Sequence, residues 1–289
     1  MFQTVVQQIL NGLVMGGLYS LFGLGLSLIY VVVRMVNFAH GEFVMVAALI
    51  TYYLTHQYHI PYVVAAFGGV VIGVALAVVV QQIAVQPLWK SPRVMALIST
   101  IGVSIFISNL VAAIAGPNPV LLETNFMQHT LSVGTIVISS YRLGVLAVAL
   151  FTVVGVHLLL YHSWFGLGVR ALMENPLGSQ LTGVNPRRAA AMTFALAGGI
   201  AGLAGVMIAP LAILTPSMGI DMTLKGFAVL VLGGIGNVWG VILSGPIIGI
   251  TESLLTAVFP SDFQTGLVFS LMMIVLLIRP EGLFTTSRT

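Results

Sequence analysis

Residues 162–188 read HSWFGLGVRALMENPLGSQLTGVNPRR. This is one of only two polar intervals longer than a short loop in a chain that otherwise reads as membrane. Asn175-Pro176 supplies an Asn N-cap followed by Pro at the first helical position, and Gly183 sits where a helix would end. Asn185-Pro186 repeats the opening signal and leads into AAAMTFALAGGIAGLAGV. The spacing predicts a short helix from about Pro176 to Thr182, between two membrane spans. Arg170, Arg187 and Arg188 flank it and put the stretch on the cytoplasmic side. A capped helix there suits a membrane protein pushed by a cytoplasmic motor; an ordinary interhelical loop is the alternative reading.

Outward from that stretch the chain is apolar. Hydrophobic residues make up 58% of the 289 and charged residues 6%, and mean hydropathy is +1.10. Soluble domains carry about 25% charge, so the fold class is an all-α integral membrane protein, a polytopic helical bundle in contact with lipid. A net charge of +3 is small, and the basic residues set orientation rather than bind nucleic acid. No cysteine is present, which excludes disulfides and thiolate chemistry. The first eight residues carry no Lys or Arg, and the apolar run 9–33 is too long for a signal h-region, so no cleavable signal is expected.

Apolar runs at 9–33, 44–54, 62–80, 94–115, 143–161, 189–209, 224–258 and 263–278 give about eight spans. Within the seventh, 224–232 is too short to cross, since a helical crossing takes about 20 residues. It runs into GGIGNVWG (233–240), so this span is read as broken or re-entrant. With the C-terminus inside, Arg34, Lys90, Arg93, Arg170, Arg187, Arg188, Arg279 and Arg288 fall on the cytoplasmic side, and only Arg142 and Lys225 outside. That asymmetry places the N-terminus outside. The whole chain, 1–289, reads as a single transmembrane domain with its main cytoplasmic loop at 162–188.

Two polar islands are candidates for a translocation path. In NFAHGEF (37–43), Asn37, His40 and Glu42 lie at membrane depth or just below the inner interface, where ionisable groups are costly. A structural hydrogen-bonding knot is the competing reading, and one His with one Glu makes no zinc site, which takes three or four ligands. In GGIGNVWG, the glycines Gly233, Gly234 and Gly236 and the neighbouring Asn237 cannot hold a stable helix, each Gly costing about 1 kcal/mol against Ala. Such backbone survives at membrane depth only inside protein or beside a water-filled path, with a plain cytoplasmic turn as the alternative. Glu252 either lines the same path or is a buried structural residue. In 189–209, Ala197, Ala201 and Gly205 on one stripe and Gly198 and Gly202 on the next form a tight packing face.

Enzyme chemistry is missing. A phosphate loop needs Gly-Lys followed by Ser or Thr, whereas Lys90 and Lys225 follow Trp89 and Leu224, and neither a Ser/His/Asp arrangement nor a paired metal motif occurs. No catalytic residue, metal site or cofactor is expected, and the chain does not read as an enzyme.

Four segments together, NGLVMGGLYSLFGLGLSLIY with NFAHGEF, the FGLGVRAL…NP…GVN loop, AGGIAGLAGV, and GFAVLVLGGIGNVWGVILSGPIIGITES, resemble the smaller permease subunit of branched-chain amino-acid ABC importers. The likeness covers nearly the whole chain. It implies an assembly in the bacterial inner membrane with a second related permease, two cytoplasmic ATP-binding subunits and a periplasmic substrate-binding protein. By that resemblance the loop holds the helix that couples to the ATPases, through Glu174, Asn175, Pro176, Leu177, Leu181 and Gly183. Here Glu174 is followed by Asn175 and Pro176, which departs from the Glu-Ala-Ala…Gly spacing of other importer coupling loops. Branched-chain amino acids are the expected cargo, with other amino acids, urea or short amides as alternatives. A secondary transporter would need more ionisable groups in its spans than His40, Glu42 and Glu252, and a passive channel would need no ATPase.

Overall fold

Residues Phe2 to Val33, mostly small and apolar from Ile9 onward, form one continuous helix, α1 (Phe2–Val33). At 1.5 Å per residue it is long enough to cross a hydrocarbon core of about 30 Å with turns to spare. The structure is a computed structural model and describes residues 2–124, 129–133, 136–256, 264–279 and 282–284. After α1 come α2 (His40–His56), α3 (Tyr62–Val80), α4 (Arg93–Ala115), β1 (Thr130–Val133), β2 (Ile136–Ser139), α5 (Ser140–His162), α6 (Trp164–Glu174), α7 (Pro176–Leu181), α8 (Pro186–Ile208), α9 (Met218–Gly233), α10 (Val238–Thr256) and α11 (Gln264–Ile278). Among the described residues, 6 helices are long and apolar enough to cross a membrane: Gln3–Val33, Tyr62–Leu88, Arg93–Ala115, Ser140–His162, Pro186–Ile208 and Val238–Thr256. The protein is therefore a multi-pass, essentially all-α membrane protein. The intervening α2, α9 and α11 have 17, 16 and 15 residues, fewer than the roughly 20 of a straight crossing.

Several boundaries differ from the sequence reading. Gln81–Val85 forms a π-helical turn and Gln86–Leu88 a 3-10 turn, so α3 continues where polar residues suggested a loop; Gln81 is fully buried. α9 begins at Met218, ahead of the expected run 224–258, and carries Lys225, which the charge count put on the outer side, near its middle. The interval between α4 and α5 carries an unforeseen antiparallel hairpin, Thr130 opposite Ser139 and Val133 opposite Ile136. Trp164–Glu174, read as loop, is a helix of its own. Its signal is Ser163, whose hydroxyl accepts from Gly166 N at 3.0 Å as an N-cap, followed by the buried residues Gly166, Val169 and Leu172 at helical spacing. Residues 257–258 and 263, at the ends of the last two expected spans, and Arg288 lie outside the described residues.

The fold divides into two units. The first comprises Met1–Ser27, Glu123–Phe151 and Leu224–Thr289. In it α1 and α10 run antiparallel in close contact, with Gly12 facing Gly249 and Ile250, and Gly16 facing Gly245 and Pro246. A Cβ on Gly16 would lie 2.5 Å from the Pro246 Cα, so only glycine lets these backbones approach. Pro246 lies inside α10 and cannot donate to the carbonyl of Ile242, four residues back. The Ser20 hydroxyl of α1 donates to that oxygen at 2.8 Å, so the partner helix satisfies the carbonyl that the proline frees.

The second unit comprises Leu28–Leu122 and Thr152–Thr223. Here α8 packs on α3 and α2 through the small residues read from the sequence. Gly198 lies against the Gly73 backbone and Ala77 of α3, and Gly205 against the Val44 backbone of α2. Below this seam Ile29, Met35, Val85, Ala96, Phe194 and Ala197 form a buried cluster.

Candidate functional site

The NFAHGEF island lies deep in the second unit. Its backbone leaves α1 through Arg34, which has φ 59°, and re-enters as α2, whose N-cap Ala39 makes no side-chain capping bond. The orphan donors of that helix start are satisfied from elsewhere. Asn37 Oδ1 accepts from Ala39 N at 3.1 Å, Thr100 Oγ1 from Phe38 N at 3.3 Å, and Thr223 Oγ1 from Gly41 N at 3.0 Å. Thr223 also lies 3.2 Å from Phe38 O and 2.9 Å from Gly219 O, as acceptors for its hydroxyl. A Cβ on Gly41 would overlap the Gly219 carbonyl oxygen, so this glycine sets how closely Gly219 seats on the start of α2.

Glu42 is fully buried. One carboxylate oxygen accepts from Ser104 Oγ at 2.7 Å, and the other has no hydrogen-bond partner among the described residues. Ser104 is the midpoint of the 23-residue α4, so Glu42 lies well inside the span rather than at its inner end. His40 is also fully buried, its ring edge-on to Phe43 with centroids 5.5 Å apart. The island thus combines a hydrogen-bonded helix start with a deep carboxylate.

Glu252 belongs to the first unit and is buried. Its Oε1 lies 2.6 Å from Lys225 Nζ, and the same ammonium donates to Tyr19 Oη at 3.0 Å. Glu252 Oε2 has no partner among the described residues. Tyr19 sits near the middle of α1, so an ion pair is held within the span where unpaired charge is costly. Sequence reading found Glu252 but missed Lys225 and Tyr19. Lys225 reads as an outer-side charge at the head of the 224–232 run until the stretch Met218–Gly233 is known to be helical, and Tyr19 is one aromatic in an apolar run.

The turn at 233–240 joins α9 to α10. Gly234 and Gly236 have φ 90° and 87°, a region that favours glycine. Gly233 packs against the Gly240–Val241 backbone. Asn237 caps α10, its Oδ1 accepting from Gly240 N at 3.1 Å, while its Nδ2 donates to Phe284 O at 2.8 Å. Leu283 N donates to Leu232 O at 2.8 Å, so residues 282–284 cover this corner.

The 162–188 stretch contains two short helices. Asn175 caps α7, accepting from Gly178 N at 2.9 Å, with Pro176 in its first turn. At the other end Gly183 N donates to Gln180 O at 3.1 Å and Val184 N to Ser179 O at 3.0 Å, with Gly183 at φ 88°. That is a Schellman stop. Asn185 then caps α8 by accepting from Arg187 N and Arg188 N. Leu177 is 78% exposed and Leu181 91%, and Glu174 is exposed beside them. Arg34 Nη2 donates to Met173 O at 2.6 Å, tying the end of α1 to the last turn of α6. Among the described residues no three His, Asp or Glu side chains stand together as a metal site.

Charged groups held inside the spans of a polytopic bundle are features that mark substrate and ion pathways. The profile of one family, described as branched-chain amino acid transport system / permease component, matches residues 8–278, and the chain belongs to that family. It is a transport subunit and not an enzyme. It is 31% identical to the high-affinity branched-chain amino acid transport system permease protein BraD of Pseudomonas aeruginosa, covering 96% of this chain and 95% of that one. It is 30% identical to LivH of Escherichia coli K12, which carries the same description, over 98% and 96% of the two chains. A probable branched-chain amino acid transport permease protein LivH of Methanocaldococcus jannaschii is 28% identical over 96% and 92%. No solved structure matches the chain.

Proposed function

We propose that this chain passes branched-chain or related small amino acids across the bacterial inner membrane as one permease of an ATP-binding-cassette importer. It works as a single permease domain beside a second, related permease, receives its cargo from a periplasmic binding protein, and is driven by two cytoplasmic ATP-binding subunits. Its membrane part has about eight spans: the six long helices, α2 and α11, with α9 descending part-way and returning through the 233–240 turn. Asn37, His40, Glu42, Glu252 and the turn residues Gly233, Gly234, Gly236 and Asn237 border the translocation path.

One observation carries this reading beyond family membership. α7 is a six-residue helix, too short to hold itself, yet it is capped at both ends and turns Leu177 and Leu181 outward. Two leucines four apart on a rigid helix make the face of a helix-in-groove contact. In this proposal the groove belongs to an ATPase subunit, with Glu174, Asn175, Pro176 and Gly183 holding the helix in place. The test is Leu177→Asp/Leu181→Asp, with Glu123→Ala as the control. The double variant is expected to insert normally, to lose co-purifying ATPase and to lose leucine uptake. Retention of both activities would pass the coupling role to α6.

A further inference from the structure

A cavity of about 910 Å³ opens in the second unit at the ends of the spans that the basic residues place on the inner side. Arg34, Lys90, Arg93 and Arg187 all line it, and no Asp or Glu does. Four of the chain's ten Lys and Arg side chains therefore share one concavity. None of them pairs with a carboxylate among the described residues, where the ion pair found is Lys225–Glu252. Orientation by charge explains why basic residues lie on this side of the membrane. It does not explain why four surround a single hollow whose lining holds no carboxylate, since like charges so gathered repel unless an anion joins them.

The rest of the lining narrows the ligand. Val33, Val85 and Leu88 face the cavity, and all three belong to or pack on the buried apolar cluster. Trp89, partly exposed, stands at the rim beside Lys90. Apolar wall, interfacial Trp and cationic rim match a molecule with a phosphate at one end and hydrocarbon at the other. The volume lies in the range of small-ligand sites. We propose that this cavity binds the phosphate headgroup of an anionic phospholipid of the inner leaflet. Gln180, Gly183 and Asn185 of the loop that carries α7 complete the wall, so the bound lipid braces that loop.

The test uses the intact transporter complex carrying this full chain, in bilayers of equal phosphatidylglycerol and phosphatidylethanolamine, with retained lipid weighed by native mass spectrometry. The unaltered complex is expected to retain phosphatidylglycerol in preference. Lys90→Gln/Arg93→Gln is expected to lower that retention about thirtyfold, since each basic group near an anionic lipid contributes comparably. The charge-preserving Lys90→Arg/Arg93→Lys is expected to keep it, which separates lost charge from lost fold. Equal retention of the two lipids, or unchanged retention in the Gln variant, overturns the proposal. Inorganic phosphate provides the arm for the other source: a cavity that holds phosphate while phosphatidylglycerol fails to displace it is a free-anion site, and the lipid proposal is overturned. A photo-crosslink from position 90 to an ATPase subunit, with no lipid retained, gives the cavity to an acidic protein surface and overturns it too.

Discussion

Lys225 and Glu252 form a charge pair inside a span, with Tyr19 as a third polar partner. Removing one member of a buried pair leaves the other uncompensated and typically costs about 3–5 kcal/mol, whereas replacing both with apolar residues is often tolerated. Lys225→Met should therefore lower the thermal stability of the purified chain sharply, and Lys225→Met/Glu252→Leu should recover most of it. If the pair also serves the path, the recovered double variant will be folded but defective in uptake. Equal melting of the single and double variants would mean that the two charges do not interact. Ser20 supports a different prediction. Its hydroxyl reaches the carbonyl that Pro246 deprives of an intrahelical donor, so Ser20→Ala should cost about 1–3 kcal/mol, the penalty of an unsatisfied buried acceptor. Pairing it with Pro246→Ala, which restores the missing N–H, should reduce that loss in a double-mutant cycle.

At the scale of elements, the corner between α9 and α10 depends on two residues at positive φ, Gly234 and Gly236. Gly234→Leu adds both backbone strain and bulk against Gly282, whose backbone packs on it. Insertion and assembly should stay near normal while amino-acid uptake is lost, as read by membrane level and radiolabelled leucine accumulation. Uptake at the unaltered rate would reduce the corner to a plain turn. The capping of α7 was legible because it is local: Asn175, Pro176 and Gly183 act on neighbours within a few residues. The start of α2 was not. Its donors are satisfied by Thr100 and Thr223, far along the chain, and no local signal announces such partners.

For the molecule as a whole, the inner-side excess of Lys and Arg predicts an outside N-terminus and an inside 162–188 loop. The chain has no cysteine, so single substitutions can report sidedness directly. Tyr58→Cys, in the exposed turn before α3, should react with an impermeant maleimide in whole cells, and Leu181→Cys should react only after the cells are opened. Labelling of Leu181→Cys in sealed cells would reverse the orientation.

Composition and apolar run length determined the class of this protein, because burial in lipid requires some twenty apolar residues per helix whatever the fold. Caps and glycines determined α7 and its ends, because those bonds close within one turn of backbone. Basic residues determined the proposed orientation, because their cost of translocation is a property of each loop. Only the tertiary structure decided that Lys225 meets Glu252, that Ser20 serves the carbonyl freed by Pro246, and that Glu42 lies at the level of Ser104. Each of these joins residues from separate helices, and helical periodicity says which face a side chain occupies but not which helix that face meets.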